Sequence, residues 1–138
     1  MKEIVSGQYI VDWVGKQVDE DQFHNAKGIG LLHNGEILAG VVYNLYNGVN
    51  ICMHVAASSP RRWMTKEYLY ECFAYPFIQL ECNRVTGLVR VDNEMSKHFC
   101  LRLGFKPEGL IRRACVDGTD MVMFGMLREE CRWLEIKK

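Results

Sequence analysis

Short apolar runs separated by turn residues dominate the first half of the chain. Residues 6–18 carry apolar side chains at helical spacing, which predicts a short helix. Residues 29–33 and 36–46 are apolar runs that flank Asn34-Gly35, and Asn47-Gly48 leads into a third run at 49–57. An Asn-Gly pair between apolar runs is a strong hairpin signal. The pattern therefore predicts three strands in an antiparallel meander.

The second half alternates helical and extended patterns. Residues 65–80 read as a helix rich in aromatic side chains, which Pro76 should kink or end. A strand at 84–91, a helix at 94–103 and strands at 108–116 and 121–127 follow. This order predicts an α/β (α+β) fold, a mixed sheet covered by helices. A chain of 138 residues is expected to form one domain, residues 1–138.

Charge and cysteine usage narrow the class of protein. Lysine plus arginine equals aspartate plus glutamate, 17 each. This neutral balance gives no support for a nucleic-acid or membrane surface. The N-terminus lacks an apolar secretion segment, so a cytoplasmic location is expected. The six cysteines form no C-x-x-C pair or cysteine–histidine cluster, which argues against a metal site and favours reduced, buried thiols.

Residues 93–105, N-E-M-S-K-H-F-C-L-R-L-G-F, carry the most specific signal. Asn93 is a good N-cap, and Gly104 is the residue type that ends a helix. Met95, Phe99 and Leu103 recur at four-residue spacing and should form one apolar face. The stretch lies between a valine-rich run and a segment that contains Glu108-Gly109 and Arg112-Arg113.

This combination resembles the signature of the GNAT acyltransferases, in a branch similar to the ribosomal-protein N-terminal acetyltransferases. The resemblance covers roughly residues 29–134 and looks like the short form that phages and prophages encode. It implies a central mixed, mostly antiparallel sheet with helices on both faces, and transfer of an acetyl group from acetyl-CoA to a primary amine. Few residues precede residue 29, so the family's first strand is expected to be missing or very short.

The resemblance implies a site for the pyrophosphate of coenzyme A between the third predicted strand and the aromatic helix. The family's loop there is basic and glycine-rich, and several backbone N–H groups point at the phosphates. The matching residues are Arg61, Arg62, Trp63, Met64, Thr65 and Lys66. Trp63 and Thr65 occupy the two glycine positions. The alternative interpretation is a solvated helix start.

Further donor contacts follow from the same resemblance. The family's strand before this loop separates from its neighbour and offers free amides to the donor, and Val55 and Ala57 are the candidate positions here. Asn93 matches an asparagine that often contacts the donor arm. Its simpler role is the N-cap, and one residue can serve both purposes.

Acyl transfer needs a base for the amine and an acid for the departing thiolate. Ser96 matches the serine proposed to protonate the thiol in the related branch, and Cys100 occupies the position where many members carry an acidic tyrosine. Each could instead be an ordinary helix residue. His54 titrates near neutrality and is the best candidate base, although a lone strand histidine is more often structural. Glu71 or a bound water could take the proton instead.

Two other functions stay open. The missing loop glycines, the absent tyrosine and the short N-terminus favour a non-catalytic binding or assembly module. A nucleobase-modifying acyltransferase would need a local basic face. The acceptor of an enzyme could be a protein N-terminus or a small amine. An exposed edge strand or the apolar first helix would be the surface of a homodimer.

Overall fold

The computed structural model describes residues 2–18, 23, 25–58 and 65–135. The strands are β1 (Lys2–Ser6), β2 (Lys27–His33), β3 (Glu36–Asn44), β4 (Asn50–Ala57), β5 (Arg84–Arg90), β6 (Lys106–Ile111) and β7 (Met121–Leu127). The helices are α1 (Gln8–Gln17), α2 (Lys66–Ala74) and α3 (Glu94–Leu103). A π-helical turn at Tyr75–Gln79 continues α2, and 3-10 turns at Arg128–Glu130 and Trp133–Glu135 follow β7. No helix among these residues is long and apolar enough to cross a membrane.

The seven strands form one sheet in the order β1-β2-β3-β4-β5-β7-β6. Every neighbouring pair is antiparallel except β4 and β5, which are parallel and are connected through α2. The sheet is therefore mixed and mostly antiparallel, as the sequence predicted.

The two Asn-Gly pairs form the predicted turns of the meander. Asn34 and Gly35 both have positive φ, 51° and 84°, which is the backbone of a tight two-residue hairpin. At the second turn, Asn47 Oδ1 accepts hydrogen bonds from the backbone N–H of Val49 at 3.0 Å and of Asn50 at 2.8 Å. These local bonds fix the register between β3 and β4.

Glycines let α1 lie close to one face of the sheet. Ile10, Val11 and Val14 are buried against this face. A Cβ atom on Gly40 would come within 2.6 Å of Val14 Cγ2, and one on Gly30 would overlap Ile10 Cδ1. The apolar side of α1 is thus used inside the molecule.

The opposite face carries α2, the π-helical turn and α3 over the larger apolar cluster. Tyr68 and Phe73 of α2 are fully buried there, with Phe99 and Leu103 of α3 beside them. Pro76 lies in the π-helical turn, in agreement with the expected kink. Helices thus cover both faces of the sheet.

Three local predictions are wrong. The first strand is neither missing nor very short, because five-residue β1 pairs with all but the first two residues of β2. The strand predicted at 108–116 runs instead from Lys106 to Ile111, and Arg112 and Arg113 lie in a turn. Met95, in the first turn of α3, is 52% exposed and does not join the buried face that Phe99 and Leu103 form.

Candidate functional site

The parallel strands β4 and β5 separate partway along their length. Their register runs from Asn50 opposite Arg84 to Met53 opposite Gly87 and stops there. The last four residues of β4 and the last three of β5 have no partner across this boundary. We call the space between these unpaired ends the β4–β5 gap.

The register with β3 decides which amides of β4 face the β4–β5 gap. The Ser58 N–H donates to the carbonyl of Leu38 at 2.8 Å, so these opposite residues form a hydrogen-bonded pair. Hydrogen-bonded and non-hydrogen-bonded pairs alternate in an antiparallel ladder. Val55 and Ala57 are therefore in non-hydrogen-bonded pairs, and their N–H groups point away from β3, toward the gap.

Two helices begin at the open end of the β4–β5 gap. Parallel strands end at the same edge of a sheet, and α2 follows β4 while α3 follows β5. Thr65 caps α2 by accepting a hydrogen bond on Oγ1 from the N–H of Tyr68 at 3.3 Å. Asn93 caps α3 by accepting one on Oδ1 from the N–H of Ser96 at 3.1 Å. Asn93 has its predicted N-cap role, the cap at Thr65 was not predicted, and two partial positive charges lie near the gap.

Cys100 lies beside the residue where the two strands separate. A methyl group added at Gly87 would lie 3.9 Å from Cys100 Sγ. Burial raises the pKa of the Cys100 thiol to about 12. Ser96 is half-buried, one helical turn nearer the start of α3, and side chains four residues apart share a helix face. The predicted acids thus occupy the α3 side of the gap.

His54 is the first residue of β4 beyond the last β4–β5 pair. Side chains alternate along a strand, so His54 faces the α1 side with Ala56, while Val55 and Ala57 pack against the larger cluster. Its Nε2 lies 2.9 Å from Asn44 Oδ1, and its ring centroid lies 4.8 Å from that of Phe23. Burial lowers the pKa of His54 to about 4, so the imidazole is neutral at neutral pH.

The candidate base and the candidate acids therefore lie on opposite faces of the sheet, at the same gap. A planar thioester carbonyl in the gap could receive an amine from the α1 face and release its thiol toward the α3 face. Amide N–H groups that lack a ladder partner are the donors that an oxyanion requires.

A polar network over the paired part of β4 and β5 was not predicted from the sequence. Arg84 donates from Nη2 to Glu108 Oε1 at 2.8 Å and from Nη2 to Thr86 Oγ1 at 3.1 Å. The Thr86 hydroxyl donates to Asn50 Oδ1 at 2.7 Å. The network lies flat over Gly125, where a Cβ atom would overlap Glu108. Arg84 and Glu108 are 24 residues apart, so no local pattern announces the pair.

Some predicted residues and features stay outside this arrangement. Arg61, Arg62, Trp63 and Met64 lie outside the described residues. Lys66 is an exposed first residue of α2. Glu71 lines a hollow of about 400 Å³ between strands β1 and β2 on one side and α2 with the π-helical turn on the other. A wider hollow of about 790 Å³, lined by Leu110 and its neighbours up to Arg113 and by Asp120, includes none of the candidate side chains. Within the described part, no three metal-ligating side chains come together.

Asn44 is the partner of His54 that sequence reasoning missed. The Asn47-Gly48 turn sets Asn44 opposite Cys52, so Asn44 lies diagonal to His54 on the same face. Counting the register back from the turn would have found this pair.

Comparison with known proteins identifies the fold. No protein-family model and no curated protein matches the chain. Solved structures do match. A mutant form of the spermidine/spermine N-acetyltransferase SpeG from Vibrio cholerae is 11% identical over 100% of both chains, with a TM-score of 0.72. A GNAT-family acetyltransferase from Bacillus anthracis is 16% identical over 86% of this chain and 73% of its own, with a TM-score of 0.62.

A third match includes a ligand of the expected class. RimJ from Mycobacterium smegmatis, in complex with CoA-disulfide, is 19% identical over 82% of this chain and 56% of its own, with a TM-score of 0.62. Two other matching structures are 23% identical, and the chain spans 60% and 62% of their length. The chain therefore has the fold of the GNAT acetyltransferases, and the predicted fold class is confirmed.

Proposed function

We propose that this protein is an N-acyltransferase that moves an acetyl group from acetyl-CoA to a primary amine. The observation that carries the proposal is the β4–β5 gap, with the N–H groups of Val55 and Ala57 directed into it. A polar pantetheine arm needs such unpaired backbone groups, and a strand within a closed sheet has none to offer. The helix starts at Thr65 and Asn93 favour an anionic pyrophosphate at the open end.

The residues of the chain divide the chemistry between the two faces. The Val55 amide stabilises negative charge on the thioester oxygen during attack. His54, neutral at neutral pH, accepts the proton that the amine loses. Ser96 and Cys100 lie where the sulphur leaves, and Ser96 donates the proton to it. Overall, the reaction forms one C–N bond, breaks one C–S bond and moves one proton from nitrogen to sulphur.

The acceptor class follows from the weakness of the base. A histidine with a pKa of about 4 takes a proton poorly. An α-amino group has a reference pKa near about 8, against about 10.4 for lysine, so a larger share is already neutral at pH 7. We therefore favour an α-amine, of a protein N-terminus or a small molecule, as the acceptor.

The proposal also includes the family branch, the cellular location and the oligomeric state of the protein. The left-handed Gly104 that ends α3 (φ 108°) and the capped Asn93 fit the signature of the ribosomal-protein N-terminal acetyltransferase branch in its short phage or prophage form. All six cysteines are free, which fits a reducing cytoplasm. A homodimer would use the exposed edge strand β6, since the apolar side of α1 is buried.

The test measures coenzyme A release from acetyl-CoA with a panel of amines: a peptide with a free N-terminus, its N-blocked lysine counterpart, and spermidine. Release is followed by chromatography, because the six thiols of the protein would react with a thiol reagent. We expect release above the amine-free background, fastest with the free N-terminus. Binding of coenzyme A without turnover would support the assembly module instead. The absence of both binding and turnover at millimolar ligand would overturn the proposal.

A further inference from the structure

We infer that Asn44 is a positioning residue that holds the His54 ring in the tautomer with its hydrogen on Nε2, so that Nδ1 is the proton acceptor. This inference rests on the proposed acyl transfer, in which His54 is the base. The tautomer of the His54 ring can be measured without any turnover.

The geometry of the pair sets the tautomer. Asn44 Oδ1 lies 2.9 Å from His54 Nε2. An amide oxygen can only accept a hydrogen bond, so the imidazole nitrogen that faces it must carry hydrogen. A neutral imidazole carries one ring hydrogen, which leaves the lone pair on Nδ1.

Asn44 selects the tautomer of His54, because the other described side chains around the ring are apolar. The ring packs at 45° to Phe23, and the neighbouring Val42 and Ala56 are apolar. Asn44 Oδ1 is the hydrogen-bond partner of the His54 ring among the described residues. Burial is the cause of its lowered pKa.

Few of the described residues near His54 are ionisable. Cys52 is the other titratable side chain on this face of β4, and burial raises its pKa. On α1, which packs against the same face, Asp12 and Lys16 are solvent-exposed. Among the described residues, the hydrogen bond that the His54 ring donates to Asn44 Oδ1 is therefore the specific interaction that orients the ring.

The same hydrogen bond serves both protonation states of the base. When the amine attacks the thioester carbon, the nitrogen forms its bond to carbon and passes a proton to Nδ1. The resulting imidazolium still donates its Nε2 hydrogen to Asn44 Oδ1. The thiolate that leaves takes its proton from the Ser96 hydroxyl on the α3 face, Ser96 regains a proton from water, and the imidazolium releases its own proton to water. No ring rotation is needed at any point.

The first experiment records the imidazole ¹⁵N resonances of the whole protein at pH 7 without ligand. We expect the His54 signals of an Nε2–H tautomer in the wild type and in Asn44→Asp, which keeps an accepting oxygen in the same place. In Asn44→Leu, of similar shape but without an acceptor, we expect averaging of the two tautomers. An Nδ1–H tautomer in the wild type, or no change in Asn44→Leu, would refute the inference.

The second experiment compares the rates of the same variants. Asn44→Leu should lower kcat by about 10- to 100-fold with little change in KM for acetyl-CoA, since a general base contributes about 10²–10⁴-fold. Asn44→Asp should keep most of the rate. It should also shift the acidic limb of the pH–rate profile to higher pH, because the carboxylate stabilises the imidazolium. A merely structural residue would not move that limb. A wild type that shows the Nε2–H tautomer but no turnover would refute the proposed function and leave the tautomer assignment standing.

Discussion

Burial keeps both Cys100 and His54, which lie beside the β4–β5 gap, uncharged by shifting their pKa values in opposite directions. It raises the pKa of Cys100 to about 12 and lowers the pKa of His54 to about 4. Removal from water disfavours the charged form of each group, the thiolate in one case and the imidazolium in the other. At neutral pH the thiol keeps its proton and the imidazole keeps its lone pair. An uncharged pair suits the proposed attack by a neutral amine.

A direct comparison of Ser96 and Cys100 identifies the acid. Cys100→Ala should leave kcat within about threefold, because the Cys100 thiol packs against the apolar cluster beside Gly87, whereas Ser96 lies one helical turn nearer the open end of the gap. Ser96→Ala should lower kcat by about 10²-fold or more. Steady-state kinetics at saturating acetyl-CoA checks both, with melting curves as the control for folding. The reverse order of effects would move the acid role to Cys100.

The lowered pKa of His54 also makes stability depend on pH. Between its ordinary value of 6.5 and about 4, the unfolded chain binds a proton at this position and the folded chain does not. Stability from this group is therefore complete above pH 6.5 and declines as pH falls toward 4, by at most about 3 kcal/mol. Urea unfolding at pH 7 and pH 4.5 should show a smaller decline in His54→Gln than in the wild type. Equal declines would contradict the shift.

At the scale of elements, close packing against glycines positions α1, and side-chain caps set where α2 and α3 begin. The α1 helix lies against glycines of β2 and β3, and side chains there would separate the two layers. The α2 and α3 helices instead begin with side-chain caps that set where each one starts. Packing fixes the first helix, and local hydrogen bonds fix the starts of the other two.

Two glycine substitutions test the packing of α1. Gly30→Ala would push its Cβ against Ile10, a fully buried side chain, and should lower the free energy of unfolding by about 1–3 kcal/mol. Gly87→Ala is the matched control in another strand, where the closest atom would be 3.8 Å away. It should be neutral or stabilise by up to about 1 kcal/mol. Denaturant unfolding of both variants gives the comparison, and equal effects would argue against the close contact of α1.

Substitutions can separate the two roles of Asn93, as the N-cap of α3 and as a contact to the acyl donor. Asn93→Ala should cost about 1 kcal/mol of stability, because the N–H of Ser96 loses its cap. Asn93→Ser keeps a capping oxygen and should restore the melting temperature. If the amide also contacts the donor, Asn93→Ser retains a raised KM for acetyl-CoA. A normal KM in the serine variant would limit Asn93 to the cap.

At the scale of the whole molecule, the separation of β4 from β5 is the central feature. Five antiparallel pairs hold the sheet together, and the one parallel pair is joined over only four registered residues. The larger apolar cluster joins side chains of α2 and α3 to side chains of β4 and β5 on one face of the sheet. Backbone groups of β4 are thus exposed in the middle of the sheet, while the ladders between β3 and β4 and between β5 and β7 stay intact.

Hydrogen exchange gives a test of that arrangement with an internal control. The amides of Val55 and Ala57 face the gap and should exchange quickly in the free protein, whereas those of His54 and Ala56 bond to β3 and should exchange slowly. Saturating coenzyme A should slow the first pair and leave the second unchanged. Residue-resolved exchange measured by NMR would reveal the alternation. Protection of all four amides without ligand would show that the gap is closed.

Much of the local architecture follows from neighbouring residues. The Asn34-Gly35 and Asn47-Gly48 turns, the β7 strand and the α3 helix occur where the sequence predicts them. Each depends on short-range chemistry: positive φ at glycine and asparagine, a capping side chain, or regular apolar spacing. The errors at β1 and β6 have the opposite origin. Both are edge strands with exposed side chains, so neither has the alternating apolar pattern that reveals a strand.

The sequence by itself determined the order of elements, the meander and the caps, and so the fold class. Only the tertiary structure decided how the site is built: that β4 leaves β5 after Gly87, that Val55 and Ala57 aim their amides into the opening, and that Asn44 meets His54. Those features depend on registers and on contacts between distant segments. Patterns of neighbouring residues encode which strand forms, but the packing of whole layers sets where two strands part.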